Sequence, residues 1–207
     1  MLAVIGFDAA RHVHQRRDHL ALAALPLLLA AHQIDEAFVW WGLQGHVSAT
    51  VGRVATWVYL LVAFVVLPVY VPMAVLALEP LGRRRKAMLP FLALGSVVSV
   101  VLLAALLHGP VTAELRPYHV SYGTGLPAGG LVVSAYVVAT CGALLFSGYR
   151  RLALFGLVNL VAVAVLARLT IGGLASLWCA WAAVTAGFIA VQLRSVEPHR
   201  SVTQALR

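Results

Sequence analysis

Six apolar runs divide this chain: Leu20–Leu43, Val54–Leu78, Met88–Leu107, Leu126–Ser147, Leu152–Leu169 and Leu174–Leu193. Each is close to the roughly 20 residues that carry a helix across a hydrocarbon core about 30 Å thick. In such a medium every backbone polar group must find its partner inside the protein, and long runs without alternation satisfy that as helices. Composition agrees, since 62% of the 207 residues are hydrophobic and 11% charged, against about 25% charged in a soluble domain. The expected fold is all-α: an integral membrane helical bundle, one domain over residues 1–207. It has six full transmembrane helices plus a short N-terminal helix, a truncated seventh, where Met1–Ala10 runs into Arg11, Arg16 and Arg17. Met1–Ala10 lacks the leading basic region of a cleavable signal peptide.

Charge sets the expected orientation. The net charge of +8 would suggest nucleic acid in a soluble chain. Here the cations fall in short loops with no basic and aromatic interleaving, so no nucleic-acid partner is expected. One set of segments carries Arg11, Arg16, Arg17, Arg83, Arg84, Arg85, Lys86, Arg150, Arg151, Arg194, Arg200 and Arg207, which is twelve; the alternate set carries Arg53, Arg116 and Arg168, which is three. Basic loops stay inside. The expectation is a multi-pass protein of the bacterial inner membrane, C-terminus cytoplasmic, with the loops around His46, Glu114 and Gly172 facing outward.

The first run carries what an apolar helix should not. Within Ala31–Trp41, His32, Glu36 and Trp40 recur at i, i+4 and Asp35 stands three residues after His32, so imidazole, carboxylates and indole share one helix face. The chain has seven Asp and Glu, and two are here. Each acid at mid-span costs about 2.5–3.5 kcal/mol on insertion scales, so such a cluster implies function. Neighbouring residues point about 100° apart on a helix; one acid faces inward, and His32 with Glu36 is the better match.

Depth brings further residues to the same level. At 1.5 Å rise per residue, Asp35 lies about 22 Å above the cytoplasmic end of its run and Arg168 about 24 Å up the fifth. Trp57 and Tyr59 begin the second run, Trp178 and Trp181 lie in the outer part of the last, and the loop from His108 to Pro127 adds Glu114, Arg116, Tyr118, His119 and Tyr122. The expectation is one polar, aromatic-walled cavity opening toward the outer leaflet. His32, Asp35 and Glu36 form its catalytic group, and Trp40, Trp57, Tyr59, His119, Tyr122, Arg168, Trp178 and Trp181 its substrate-binding wall. Plainer roles stand beside these: Trp and Tyr at span ends form interfacial belts, His32 can be a bonded structural histidine, and Arg168 can pair off the acids.

Other signals are weaker. Cys141 and Cys179 fall toward opposite ends of their spans, too far apart for a bridge whose Cα atoms must come within about 7 Å. Pro26, Pro68, Pro72 and Pro90 kink or cap helices. Gly95–Ser99 and Gly125–Gly130 supply small residues for close helix contact. Asn159, Ser134 and Thr140 are expected as interhelical hydrogen-bonding groups.

The combination His32-Gln33-x-x-Glu36-x-x-x-Trp40, Glu79-Pro80 with the Arg-rich segment after it, His119-x-x-Tyr122, Ala139-Thr140-Cys141-Gly142, Asn159 and Ser176-x-Trp178-Cys179 resembles a family of small bacterial multi-pass membrane proteins, common in actinobacteria and without an assigned function. The similarity covers Leu20 to Arg194. Members usually begin with a complete extra span and a Cys-Phe-Ser start, and have Gly where this chain has Ala37. In size, number of spans and lack of aspartate-rich motifs the chain also resembles small integral-membrane terpene cyclases of actinobacterial pathways, which act on prenylated indole or diketopiperazine compounds. That likeness is not carried motif by motif.

The residues fit such chemistry independently. Protonation-initiated cyclisation needs a carboxylic acid able to protonate an alkene or epoxide in a water-poor cavity, and burial beside a like charge favours the neutral acid. His32 orients or reprotonates it, aromatic faces stabilise carbocations, and the apolar bundle excludes water. The expected partners are a lipophilic prenylated small molecule and membrane lipid, with no cofactor and no metal. No DDxxD or DxxxD cluster exists to hold Mg²⁺ on a prenyl diphosphate. Two other classes stay open: a metal-dependent lipid hydrolase using His32, Glu36, His108 and His119, and a proton-coupled carrier.

Overall fold

The computed structural model describes residues 17–126, 128–169 and 173–196. The short N-terminal helix, Arg11, Arg16, Arg200, Arg207 and Gly172 lie outside them. Each of the six apolar runs is a helix: α1 (Arg17–Leu43), α2 (Ala49–Leu78), α3 (Arg83–His108), α4 (Gly129–Leu145), α5 (Arg150–Leu169) and α6 (Leu174–Val196). Three of these, α2, α3 and α5, are long and apolar enough to cross a membrane; Gly129–Leu145 and Leu174–Thr185 are shorter apolar segments. Neighbours in sequence pack side by side, α6 returns to α1, and the second half of α2 sits centrally against α1, α3 and α4.

The structure is not all helix. The segment after α3 forms an antiparallel hairpin, β1 (Thr112–Leu115) with β2 (Val120–Gly123), in the register Thr112 to Gly123, Ala113 to Tyr122, Glu114 to Ser121 and Leu115 to Val120. Its turn closes with Arg116 N–H donating to the His119 carbonyl at 3.0 Å. Alternation along β2 turns Val120, fully buried, and Tyr122 to one face. Tyr118, at the tip, is exposed.

α1 and α2 meet through a short turn. Gly45 takes φ +79° there, and Ser48 caps α2 by accepting from Val51 N–H at 3.3 Å. Just inside it, Gly42 and Gly52 oppose one another so closely that a Cβ on Gly42 would stand 2.5 Å from the Gly52 Cα. Farther along α2 the helix widens to a π turn over Leu61–Val66. Tyr136 on α4 donates to the Ala63 carbonyl and Ser99 on α3 to the Val65 carbonyl, both at 2.8 Å. Pro72 has no N–H to give the Pro68 carbonyl, and Gly95 of α3 packs against that oxygen.

Two expectations about small and polar residues change. Gly125 lies in a loop at φ +62°, and nothing stands within 4 Å of a Cβ on Gly129 or Gly130, so that stretch makes no close helix contact; Gly95 does. Ser134, Thr140 and Asn159 donate not across helices but back to Gly130, Tyr136 and Phe155 of their own helices, at 2.9, 2.9 and 2.8 Å. In an apolar helix the carbonyl four residues back is the nearest acceptor.

The end opposite the hairpin is closed by Glu79, which is 2% exposed. Its Oε1 accepts from Ser147 Oγ and Gly148 N–H, both at 2.7 Å, tying the α4–α5 turn to the close of α2. Hydrogen bonds to a charged group contribute about 1.5–3 kcal/mol each. Glu79→Ala strands both donors and is expected to destabilise the fold by about 3 kcal/mol, read by thermal unfolding. An unfolding midpoint equal to that of the native chain would remove Glu79 from this role.

Candidate functional site

α1 brings His32 and Glu36 to the bundle interior one turn apart, where they are 2% and 5% exposed. Asp35, on the adjacent face, is half-buried. From α2, Tyr59 comes to lie flat on His32, ring centroids 4.1 Å apart and planes 15° off parallel. The hairpin lays Tyr122 on the other face of Tyr59, at 4.7 Å and 16°. Three rings from three elements thus form one stack, and Tyr59, with no exposed surface, donates its hydroxyl to the Ala175 carbonyl of α6 at 3.3 Å. The Glu36 carboxyl lies among the polar ends of Ser176, Gln33 and Tyr59, with the Cys179 thiol beside it. Tyr122 is the one member outside the helices. Burial holds its phenol well above the ordinary value, with Glu36, Cys179 and Asp35 adding to the effect.

What distinguishes the cluster is polar atoms without partners. Both His32 ring nitrogens, Gln33 Nε2, Asp35 Oδ2, Glu36 Oε1, Tyr122 OH and Trp178 Nε1 are buried and unbonded. Leaving such a group unsatisfied costs about 1–3 kcal/mol. In place of the one polar cavity expected around His32, Asp35 and Glu36, the bundle holds an inner and an outer cavity, and those three residues line neither. The inner one, about 60 Å³, is walled by Tyr136, Trp178, Cys141, Cys179, Asn159 and apolar side chains of α1, α2, α4, α5 and α6. Tyr136 meets the Trp178 ring edge-on there, at 5.3 Å and 67°. The outer one, about 320 Å³, lies between α1, α2 and β1. Cys179 of α6 lines the inner cavity, and Val39, one turn beyond Glu36 on α1, lines the outer.

Of the residues expected at the site, the structure gathers His32, Glu36, Tyr59 and Tyr122, with Asp35 at the margin and Trp178 in the inner cavity wall. Trp40 packs on the hydrophobic core. Trp57 and Trp181 are 37% and 40% exposed; Trp57, two residues from Tyr59 and about 200° round the helix, faces away from the ring stack but lines the outer cavity. Arg168 is exposed in the last turn of α5 and pairs with neither acid, and the His119 ring rests against Gly173, half-buried. Among the described residues no three His, Cys, Asp or Glu side chains converge as metal ligands, and His108 is exposed beside the Ala104 carbonyl. Cys141 and Cys179 are free, as their heights suggested, yet both line the inner cavity. Tyr136, Ser176 and Cys179 were not legible as site residues, because each reaches the cluster from a helix distant in sequence.

Fold and site define a class: an apolar bundle of six helices holding unpartnered ionisable groups under a stack of aromatic rings. The chain belongs to a family of unknown function (DUF6629), whose model matches residues 1–204. No curated protein and no solved structure matches it.

Proposed function

We propose that this chain is an integral-membrane terpene cyclase, crossing a bacterial plasma membrane six times with its C-terminus cytoplasmic, and that it cyclises a lipophilic prenylated small molecule by protonating it. The observation that carries this reading is the set of buried, unbonded polar atoms on His32 and Glu36, enclosed by aromatic rings. A group left without a partner at that cost is one kept for a ligand or a reaction.

In this mechanism Glu36 gives its proton to an alkene carbon or epoxide oxygen. The π electrons of the alkene take it up, or an oxygen lone pair does so while the C–O bonding electrons pass to oxygen; either course leaves a carbocation. A second alkene attacks, closing a carbon–carbon bond, and loss of a proton from the carbon next to the final cation restores the acid through His32. The product is an isomer of the substrate, so the balance needs no co-reactant. Tyr136 and Trp178 offer faces to the cation from the inner cavity wall, and Tyr122 offers the face turned away from Tyr59. The substrate enters through one of the two cavities, and a side-chain movement must open that cavity to the acid, which lines neither.

The test is turnover of a geranylated indole by purified protein in detergent. Glu36→Gln is expected to lose activity by about 10³-fold, the scale of a general acid, and Asp35→Asn by less. Full activity in both variants would remove the reading. Uptake of the same compound into proteoliposomes driven by a pH gradient, with no conversion, would make the protein a carrier instead.

A further inference from the structure

The outer cavity has one feature that protonation chemistry does not use. Its walls are mostly apolar or small, among them Val39 and Leu43 from α1, Trp57 from α2 and Ala113 from β1; the polar members are Thr56, whose hydroxyl is given to the Gly52 carbonyl, and Arg53. No carboxylate lines it. The nearest acid in sequence to that wall, Glu114, is already engaged with Arg116 at 2.8 Å. Arg53 makes no ion pair among the described residues.

The cavity is lined by neighbours of the ring-stack residues along three elements. Val39 is one turn beyond Glu36 on α1, Thr56 one turn before Tyr59 on α2, and Ala113 is the strand partner of Tyr122. Along α2 the rise from Arg53 to Tyr59 is about 9 Å, which a chain of several carbon atoms spans. About 320 Å³ falls within the range of small-molecule sites, which are mostly apolar with a few placed polar groups. A guanidinium presents a planar fork that matches carboxylate or phosphate oxygens two at a time.

We propose that the outer cavity binds the anionic head of an amphiphilic ligand, carboxylate or phosphate, on Arg53, so that the ligand's unsaturated chain descends toward Glu36. The proposal rests on the reading of the Glu36 cluster as a substrate site for the chain's destination, while the head-group site stands on the cavity and Arg53. The occupant is a small amphiphile and not a lipid of the surrounding bilayer. Its head fixes how deep the chain enters and therefore which double bond meets the acid.

The experiment uses the full chain in detergent and the fluorescence of cis-parinaric acid against its methyl ester, two probes that differ in the charge of the head. The native protein is expected to bind the acid at least about tenfold more tightly, a difference of about 1.4 kcal/mol. Arg53→Gln is expected to remove that preference without changing ester binding, and Arg53→Lys to keep part of it. Glu36→Gln should retain the preference, so a failure of the cyclase reading shows in turnover and not in this assay. Equal binding of acid and ester by the native protein, an unchanged preference in Arg53→Gln, or displacement of the acid by equimolar phosphatidylglycerol would each overturn the proposal.

Discussion

Replacing Gly95 with valine is expected to leave no folded protein. A Cβ at this position would fall well inside the contact radius of the Pro68 carbonyl oxygen, with the Pro68 carbon 2.9 Å and the Pro72 ring 3.5 Å away. Neither partner can give. Pro68 and Pro72 are both buried, their φ angles are fixed by their rings, and this part of α2 follows the π turn whose carbonyls are held by Tyr136 and Ser99. Relief therefore requires moving α3 off α2 as a body, which strips Met88, Val98 and Leu102 of contacts in the core. The cost is expected to exceed about 4 kcal/mol, the range reserved for defects of this kind. Loss of the monodisperse species on gel filtration, with no unfolding transition, is the readout. Gly130→Ala is the control: it enters open space in a helix, where exchanging Gly for Ala gains up to about 1 kcal/mol. A Gly95→Val chain as stable as the native one would show that α2 and α3 do not approach as described.

Local patterns made the helices legible and tertiary ones hid the rest. Apolar length alone marks the runs that become α1 to α6, because a helix satisfies its own backbone and needs no distant partner. The hairpin escapes that logic. Thr112–Leu115 and Val120–Gly123 are four residues each, too short for alternation to stand out. The π turn in α2 is equally silent in sequence, since it exists only while Tyr136 and Ser99 take the carbonyls it leaves. At the site, the i, i+4 spacing of His32 and Glu36 was enough to place both on the buried face. Height within a span could not say which way Trp57, Trp181 and Arg168 point, and all three are exposed. The stack joins His32 of α1, Tyr59 of α2 and Tyr122 of β2, its outer members 90 positions apart, a pairing that only packing creates. Arg53, one of three cations in the cation-poor set of segments, carries no signal in the sequence because β1, which closes a cavity beside it, comes from a distant part of the chain.

His32→Phe is expected to make the protein more stable and less active at once. A phenyl ring keeps the face that lies on Tyr59 at 4.1 Å and removes two buried nitrogens that have no partner. Each unsatisfied polar atom costs about 1–3 kcal/mol, while the apolar replacement of similar shape carries no such penalty. A gain of about 1–2 kcal/mol follows, which for a chain of this size raises the unfolding midpoint by roughly 2–8 °C. Glu36→Gln should move stability little, because the amide keeps its polar surroundings of Ser176, Gln33 and Tyr59, yet turnover falls by about 10³-fold since the amide has no acidic proton. The two variants together separate function from structure. A histidine retained for packing would give a lower midpoint when altered, as is expected of Glu79→Ala at the other end of the bundle; one retained for chemistry gives the opposite sign. A midpoint for His32→Phe below that of the native chain would mean that the imidazole holds the ring stack together through a bond, and the acid beneath it would lose its claim to be poised for a substrate.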